Sequence, residues 1–221
     1  MLKPIGLLAF DMDGVLADTS PCHAEAYDQL WSYIGINGPD YANIAGRTTR
    51  EVVTAHTNHL EPNSSDIDAW VHYKQVTARE LLKTASFVFS DTLPLIQQLY
   101  NEGYELMVVT GASRQSAEII LQTGGIRDYF TDLICAEDVV SGKPDPEGYQ
   151  LAIQRSAYKN EETLIIEDSF SGIQAALACN AWVVSVRSNI TSHDSSFVFD
   201  ASDLADLGRR FSNHFKKAVP Q

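Results

Sequence analysis

Short apolar runs bounded by turn residues recur along this chain and set its rhythm. Gly6–Phe10, Tyr104–Val109, Leu133–Cys135, Thr163–Ile166, Trp182–Val186 and Phe197–Phe199 are too short for helices and read as buried strands. Between the later runs, apolar positions fall at helical spacing. Leu95, Ile96 and Leu99 share one face of a segment that Ser90 or Asp91 can cap, running through Tyr100 with Gly103 past its end. Ser113 can cap Arg114–Gln122, which stops at Gly124-Gly125, and Pro146–Arg155 and Ser171–Cys179 complete the series. Strands alternating with helices imply right-handed crossovers, hence an open α/β fold with a mostly parallel sheet flanked by helices.

The rhythm breaks between Thr19 and Thr84. This stretch has no convincing strand and at least three helical patterns: Pro21–Ile34, Thr49–Leu60 and Ile67–Leu82. It is too long for a strand–helix loop. The pattern predicts a core of residues 1–17 and 87–221, with an all-helical cap over residues 18–86 inserted after the first strand. Trp31, Trp70 and Tyr73 read as the cap's own core.

Composition narrows the function. The 221 residues carry a formal net charge of -13. A surface that acidic does not bind nucleic acid, which needs a basic face. Cys22, Cys135 and Cys179 are odd in number and widely spaced, so they read as reduced thiols. No segment resembles a signal peptide, and no apolar run approaches the roughly 20 residues that span a membrane. The expectation is a cytoplasmic monomer with no membrane or nucleic-acid partner.

The chemistry gathers where strands end. Leu7-Leu8-Ala9-Phe10 runs directly into Asp11-Met12-Asp13-Gly14. Strand alternation would let Asp11 and Asp13 lean the same way while Met12 packs the other. Two like charges so close are costly to ionise together, unless a cation, a phosphoryl group or a shared proton sits between them. Three more clusters follow strands or open helices: Thr110-Gly111-Ala112-Ser113, Gly142-Lys143-Pro144-Asp145-Pro146 and Glu167-Asp168-Ser169. In a parallel sheet these turns converge on one edge. The first offers a hydroxyl and helix-start amides to an anion. Carboxylate oxygens with water suit Mg²⁺. A lysine and a hydroxyl suit phosphoryl oxygens.

In these clusters the chain resembles the haloacid dehalogenase superfamily of phosphotransferases. Asp11-x-Asp13-Gly14-Val15, Thr110, Lys143 and Glu167-Asp168 stand in the order of that superfamily's four motifs. The helical insert is similar to the cap of the subgroup holding β-phosphoglucomutase and small sugar-phosphate phosphatases. The resemblance implies a Rossmann-like core and an aspartyl-phosphate mechanism. Asp11 would be the nucleophile, and Asp13 would protonate the leaving oxygen and then take a proton from water. Asp11, the Asp13 carbonyl and Asp168 would hold Mg²⁺, with Glu167 as a ligand or behind one. Thr110, Gly111, Ala112 and Lys143 would bind the phosphoryl group.

Substrate choice would lie in the cap. His23 matches a position that often bears histidine in the subgroup, Gly46-Arg47-Thr48-Thr49-Arg50 looks like its substrate loop, and Lys74 could be a further contact. The mutase carries arginine three residues after the loop glycine, where this chain has Thr49 between Arg47 and Arg50. This departure favours a phosphatase. The blander readings are an Asp-x-Asp-Gly turn, a surface lysine at Lys143, a packing His23, and solvent-facing His56 and His59. The first two lose to the ordered set of four clusters; an EF-hand loop lacks its later Glu. Asn180, where relatives show glycine, reads as a left-handed turn. The sequence thus predicts a Mg²⁺-dependent phosphatase acting on a small phosphorylated metabolite, a sugar or polyol phosphate. A phosphosugar mutase is the alternative, and a non-catalytic phospho-acceptor module a more distant one.

Overall fold

A computed structural model describes residues 2–44 and 49–218. Its strands are β1 (Lys3–Ile5), β2 (Leu7–Phe10), β3 (Glu105–Val109), β4 (Asp132–Ile134), β5 (Thr163–Glu167), β6 (Trp182–Val186), β7 (Phe197–Ala201) and β8 (Phe215–Lys217). Its helices are α1 (Ser20–Ile34), α2 (Thr49–Thr57), α3 (Ser64–Leu82), α4 (Thr92–Asn101), α5 (Arg114–Thr123), α6 (Glu147–Arg155), α7 (Phe170–Ala178) and α8 (Leu204–His214). The chain forms two compact units, Met1–Asp18 with Phe87–Gln221, and Thr19–Ser86.

The first unit is built on a six-stranded sheet in the order β4-β3-β2-β5-β6-β7, with every pairing parallel. β2 is central because all four of its residues are apolar and fully buried, as a strand covered on both faces must be. Period-two positions Leu7, Ala9, Met107, Val109, Ile165 and Val183 form one cluster with Tyr149, Ala152 and Ile153 of α6 and Ile173, Ala175 and Ala176 of α7. The strand order reverses direction at β2 and β5, the place where open α/β sheets bind ligands. Register fixes what meets there. Phe10 pairs with Val108 and with Ile166, so the next residues, Asp11, Val109 and Glu167, leave the sheet level with one another.

Three elements are absent from the sequence pattern. β1 and β8 pair in parallel as a separate two-stranded sheet, joining Lys3–Ile5 to Phe215–Lys217. Strands of three residues are too short to show alternation. α8 is capped by Asp203, which accepts from the Asp206 amide at 2.6 Å. A fourth feature corrects the helix-start reading of α4. Asp91 flanks that helix but gives it no side-chain cap. Its carboxylate instead takes the Arg187 guanidinium at 2.5 and 2.6 Å and the Leu204 amide at 2.8 Å. A bidentate charge-assisted pair outcompetes a local cap, and no local pattern announces a partner that far along the chain.

The second unit is helical. Leu30, Trp31, Val52, Val53, Ile67 and Val71 form its core, with Trp70 and Tyr73 packed partly buried against it. Asn63 and Asp66 make a reciprocal capping box at the start of α3. His59 is exposed, but His56 is not the solvent-facing residue its spacing suggested. It is half-buried, bonds the Val52 carbonyl at 2.9 Å and tilts against Trp31. No described helix is long and apolar enough to cross a membrane.

One glycine ties the fold to the sheet edge. A Cβ on Gly172, in the first turn of α7, would lie 1.7 Å from Glu167 Oε1. Overpacking there displaces a buried carboxylate, so Gly172→Ala is expected to cost about 1–3 kcal/mol, a fall in Tm of roughly 3–10 °C for a chain this size. Calorimetry of the two proteins checks it.

Candidate active site

The site grows from the ends of β2, β3 and β5. Asp11 follows β2, and its amide continues the ladder by donating to the Ile166 carbonyl at 2.9 Å. The strand itself ends at Phe10, so alternation does not govern Asp13. Gly14 turns the chain with φ +84°, a left-handed conformation that glycine adopts without strain. A side chain there would also strike Asp168, whose Oδ2 lies 2.0 Å from an ideal Cβ. The turn therefore brings Asp13 close enough to raise the pKa of both Asp11 and Asp168.

Lys143 binds this edge together. Its ammonium donates to Asp11 Oδ1, to Glu167 Oε1 at 2.6 Å and to the Val109 carbonyl at 3.2 Å. Asp11 is 8 % exposed and Glu167 fully buried. Burial pushes the Asp11 carboxyl well above the ordinary range; Lys143 pulls it back, while Glu167 and Asp13 add to the rise. Burial would likewise lower the Lys143 pKa, but the two carboxylates more than reverse that and hold the lysine charged. Glu167 is held below the usual range against its burial, chiefly by Lys143 and then by the Ser169 amide and Tyr149 hydroxyl.

Glu167 is the most heavily bonded carboxylate of the site. Besides Lys143 it accepts from the Tyr149 hydroxyl at 2.9 Å, the Asp168 amide at 2.9 Å, and the Ser169 amide and hydroxyl at 3.0 Å each. Ser169 also caps α7 by accepting from the Gly172 amide. Tyr149 escapes sequence reasoning because it sits on the apolar face of α6, where an aromatic reads as core. Asp168 is half-buried, and burial together with Glu167 lifts its pKa to about 6. One oxygen each from Asp11, Glu167 and Asp168 lie within 4.8 Å of one another. That donor set is all carboxylate oxygen, the chemistry of a hard divalent cation.

Thr110 follows β3 and is buried; its amide donates to the Ile134 carbonyl. The turn after it is less open to an anion than the sequence implied. The Ala112 amide already donates to Thr110 Oγ1 at 3.0 Å, and the Arg114 amide to Glu137 at 2.9 Å. Side chains, rather than a ligand, satisfy these helix-start groups. Gly111 is exposed. Thr110, Gly111 and Lys143 border a cavity of about 190 Å³ walled by Val109, Ile134 and Tyr149.

The remaining candidates lie in the helical unit. Lys74 is 5 % exposed, donates to His23 Nδ1 at 2.9 Å and sits 4.6 Å from the Tyr27 ring centroid. Burial lowers its pKa to about 8, and burial with the neighbouring ammonium lowers that of His23 to about 4. Arg50 is exposed on α2 and pairs with Asp68 at 2.5 Å. Gly46, Arg47 and Thr48 lie outside the described residues. Below pH 8 both folded and unfolded chains keep the Lys74 proton, and the fold bears the cost of burying the charge. Between pH 8 and 10.5 the folded chain releases that proton while the unfolded chain keeps it, so stability rises with pH. Denaturant titrations of wild type and Lys74→Met are expected to shift in favour of wild type by roughly 2–3 kcal/mol across that window.

Comparison with known proteins matches this geometry to a family. The model of the family "haloacid dehalogenase-like hydrolase" matches residues 8–186. Fructose-1-phosphate phosphatase YqaB of Escherichia coli is 32 % identical over 184 residues, covering 81 % of this chain and 95 % of that protein. A phosphorylated carbohydrates phosphatase of Thermotoga maritima is 31 % identical over 172 residues, covering 76 % and 78 %. The crystal structure of CbbY from Rhodobacter sphaeroides in complex with phosphate superposes with a TM-score of 0.78 at 22 % identity, covering 92 % of this chain and 96 % of that one, and shows the same fold. With the family model spanning most of β2, all of β3 to β6 and every cluster at the sheet edge, this chain belongs to the haloacid dehalogenase-like hydrolases.

Proposed function

We propose that this protein is a Mg²⁺-dependent phosphatase that transfers the phosphoryl group of a sugar or polyol phosphate to Asp11 and then to water. The observation that carries the reading is one half-buried ammonium, Lys143, shared by Asp11 and Glu167 beside Asp168. Relatives named as phosphatases of fructose 1-phosphate and of phosphorylated carbohydrates support the substrate class.

Asp11, Asp168 and the Asp13 carbonyl would hold the metal, and the all-oxygen donor set fits Mg²⁺. When bound, the ion offsets the negative charge of the phosphoryl oxygens as they approach two carboxylates. The chain's own groups carry the steps. An Asp11 carboxylate oxygen attacks phosphorus, and the bond to the substrate oxygen breaks. Asp13 gives that oxygen its proton, then takes one from the water that attacks the aspartyl-phosphate and frees Asp11. Lys143 faces the developing charge, and Thr110 supplies a hydroxyl at the end of β3. Glu167, saturated with donors, holds Lys143 in place. Within the helical unit, the Lys74–His23 pair is the polar group we assign to substrate selection.

Asp11→Asn is expected to lower Mg²⁺-dependent hydrolysis of p-nitrophenyl phosphate by at least about 10³-fold with the fold intact by circular dichroism. A variant retaining that activity would remove Asp11 as nucleophile. Chelation with EDTA is expected to abolish turnover, and added Mg²⁺ to restore it. A panel of phosphorylated metabolites that includes fructose 1-phosphate and β-glucose 1-phosphate reads the substrate. Inorganic phosphate marks a phosphatase, whereas glucose 6-phosphate would mark a mutase.

A further inference from the structure

We propose that Arg187 is a positioning residue for proton transfer, acting through the backbone of the turn that carries Asp13. The inference rests on the phosphatase reading above. Arg187 is the residue after β6, in the left-handed region at φ +56°. A non-glycine residue is held there only where its surroundings over-determine it. Three partners do so. Its guanidinium clamps both oxygens of Asp91 at 2.5 and 2.6 Å, stacks 4.0 Å from the Phe89 ring centroid, and donates through Nη1 to the Val15 carbonyl at 3.0 Å. The arginine and Asp91 side chains are only 19 % and 18 % exposed, so the pair is well shielded from screening.

Val15 stands two residues after Asp13, inside a turn that otherwise bonds largely to itself. Leu16 and Ala17 amides return to the Met12 carbonyl, and the Gly14 amide to the Ala17 carbonyl. Such a turn is rigid internally, yet could pivot as a body. It is anchored outward where the Asp18 amide donates to the Phe87 carbonyl at 2.9 Å, and through two carbonyls of its own. Arg187 takes Val15, while the Thr92 hydroxyl at 2.9 Å and the Phe89 amide at 3.0 Å take Leu16. All of these groups belong to the sheet unit. Arg187 makes no described bond to Asp11, Asp13, Lys143 or Asp168. Its contribution is to fix the angle at which Asp13 meets the leaving oxygen, and a small misplacement of a proton donor is costly in rate.

The test separates proton transfer from mere stability by changing the leaving group. p-Nitrophenolate departs without a proton, whereas the alkoxide of a sugar phosphate needs one. Arg187→Met is expected to lower kcat/KM for the best sugar phosphate of the panel about 10–100-fold, and that for p-nitrophenyl phosphate less than about threefold. Phe215→Leu thins the packing of β8 against Phe211 without touching the Asp91–Arg187 clamp, and should lower Tm with both kcat/KM values kept. Should the methionine variant fail to fold, Arg187→Lys and Thr92→Val carry the same comparison, each removing one anchor prong. Equal losses on the two substrates, or none on either, would overturn the role of Arg187 and leave the phosphatase standing. A wild-type protein that hydrolyses neither substrate would overturn both.

Discussion

Everything at the sheet edge depends on one ammonium held among carboxylates. Without Lys143, Asp11 and Glu167 would be two buried like charges, and one of them would stay protonated. With it, Glu167 is held ionised and the pull on Asp11 opposes its burial. That pull is where the lysine matters most, since burial, Glu167 and Asp13 all push the Asp11 carboxyl up. The lysine in turn needs the parallel sheet. Only the common register of β2, β3 and β5 brings Asp11, the Val109 carbonyl and Glu167 level, so that one side chain can reach all three.

Glu167 shows how the fold meets the cost of that arrangement. A fully buried carboxylate has to be saturated with donors, because an unpaired one is far too expensive. Tyr149 arrives from α6, Lys143 from the turn before it, and Ser169 with two amides from the start of α7. Gly172 is glycine because the carboxylate occupies the space of its side chain. Packing, capping and the ion pair with Lys143 thus use the same few atoms.

Two long-range polar pairs were assembled by the fold that no local pattern in the sequence paired. Asp91 reads as a helix cap and serves instead as the counter-ion of Arg187, which also donates to the Val15 carbonyl in the turn after Asp13. Lys74, a candidate substrate contact in the sequence, is buried against His23 and Tyr27 with its pKa lowered.

The sequence by itself determined the alternation of strands and helices, the helical insertion, and the four clusters at strand ends. It could do so because each of those signals is local: apolar periodicity, turn residues and short motifs lie within a few residues of one another. It also placed the left-handed turn at Asn180, whose φ is +55°. Tertiary structure alone decided which groups are charged, which amides remain open to a ligand and which side chains brace the turn. Ala112 lost its open amide to Thr110, Asp91 left its own helix for Arg187, and β1 found β8 at the far end of the chain. Those outcomes depend on distances across the fold and on desolvation, which no run of neighbouring residues encodes.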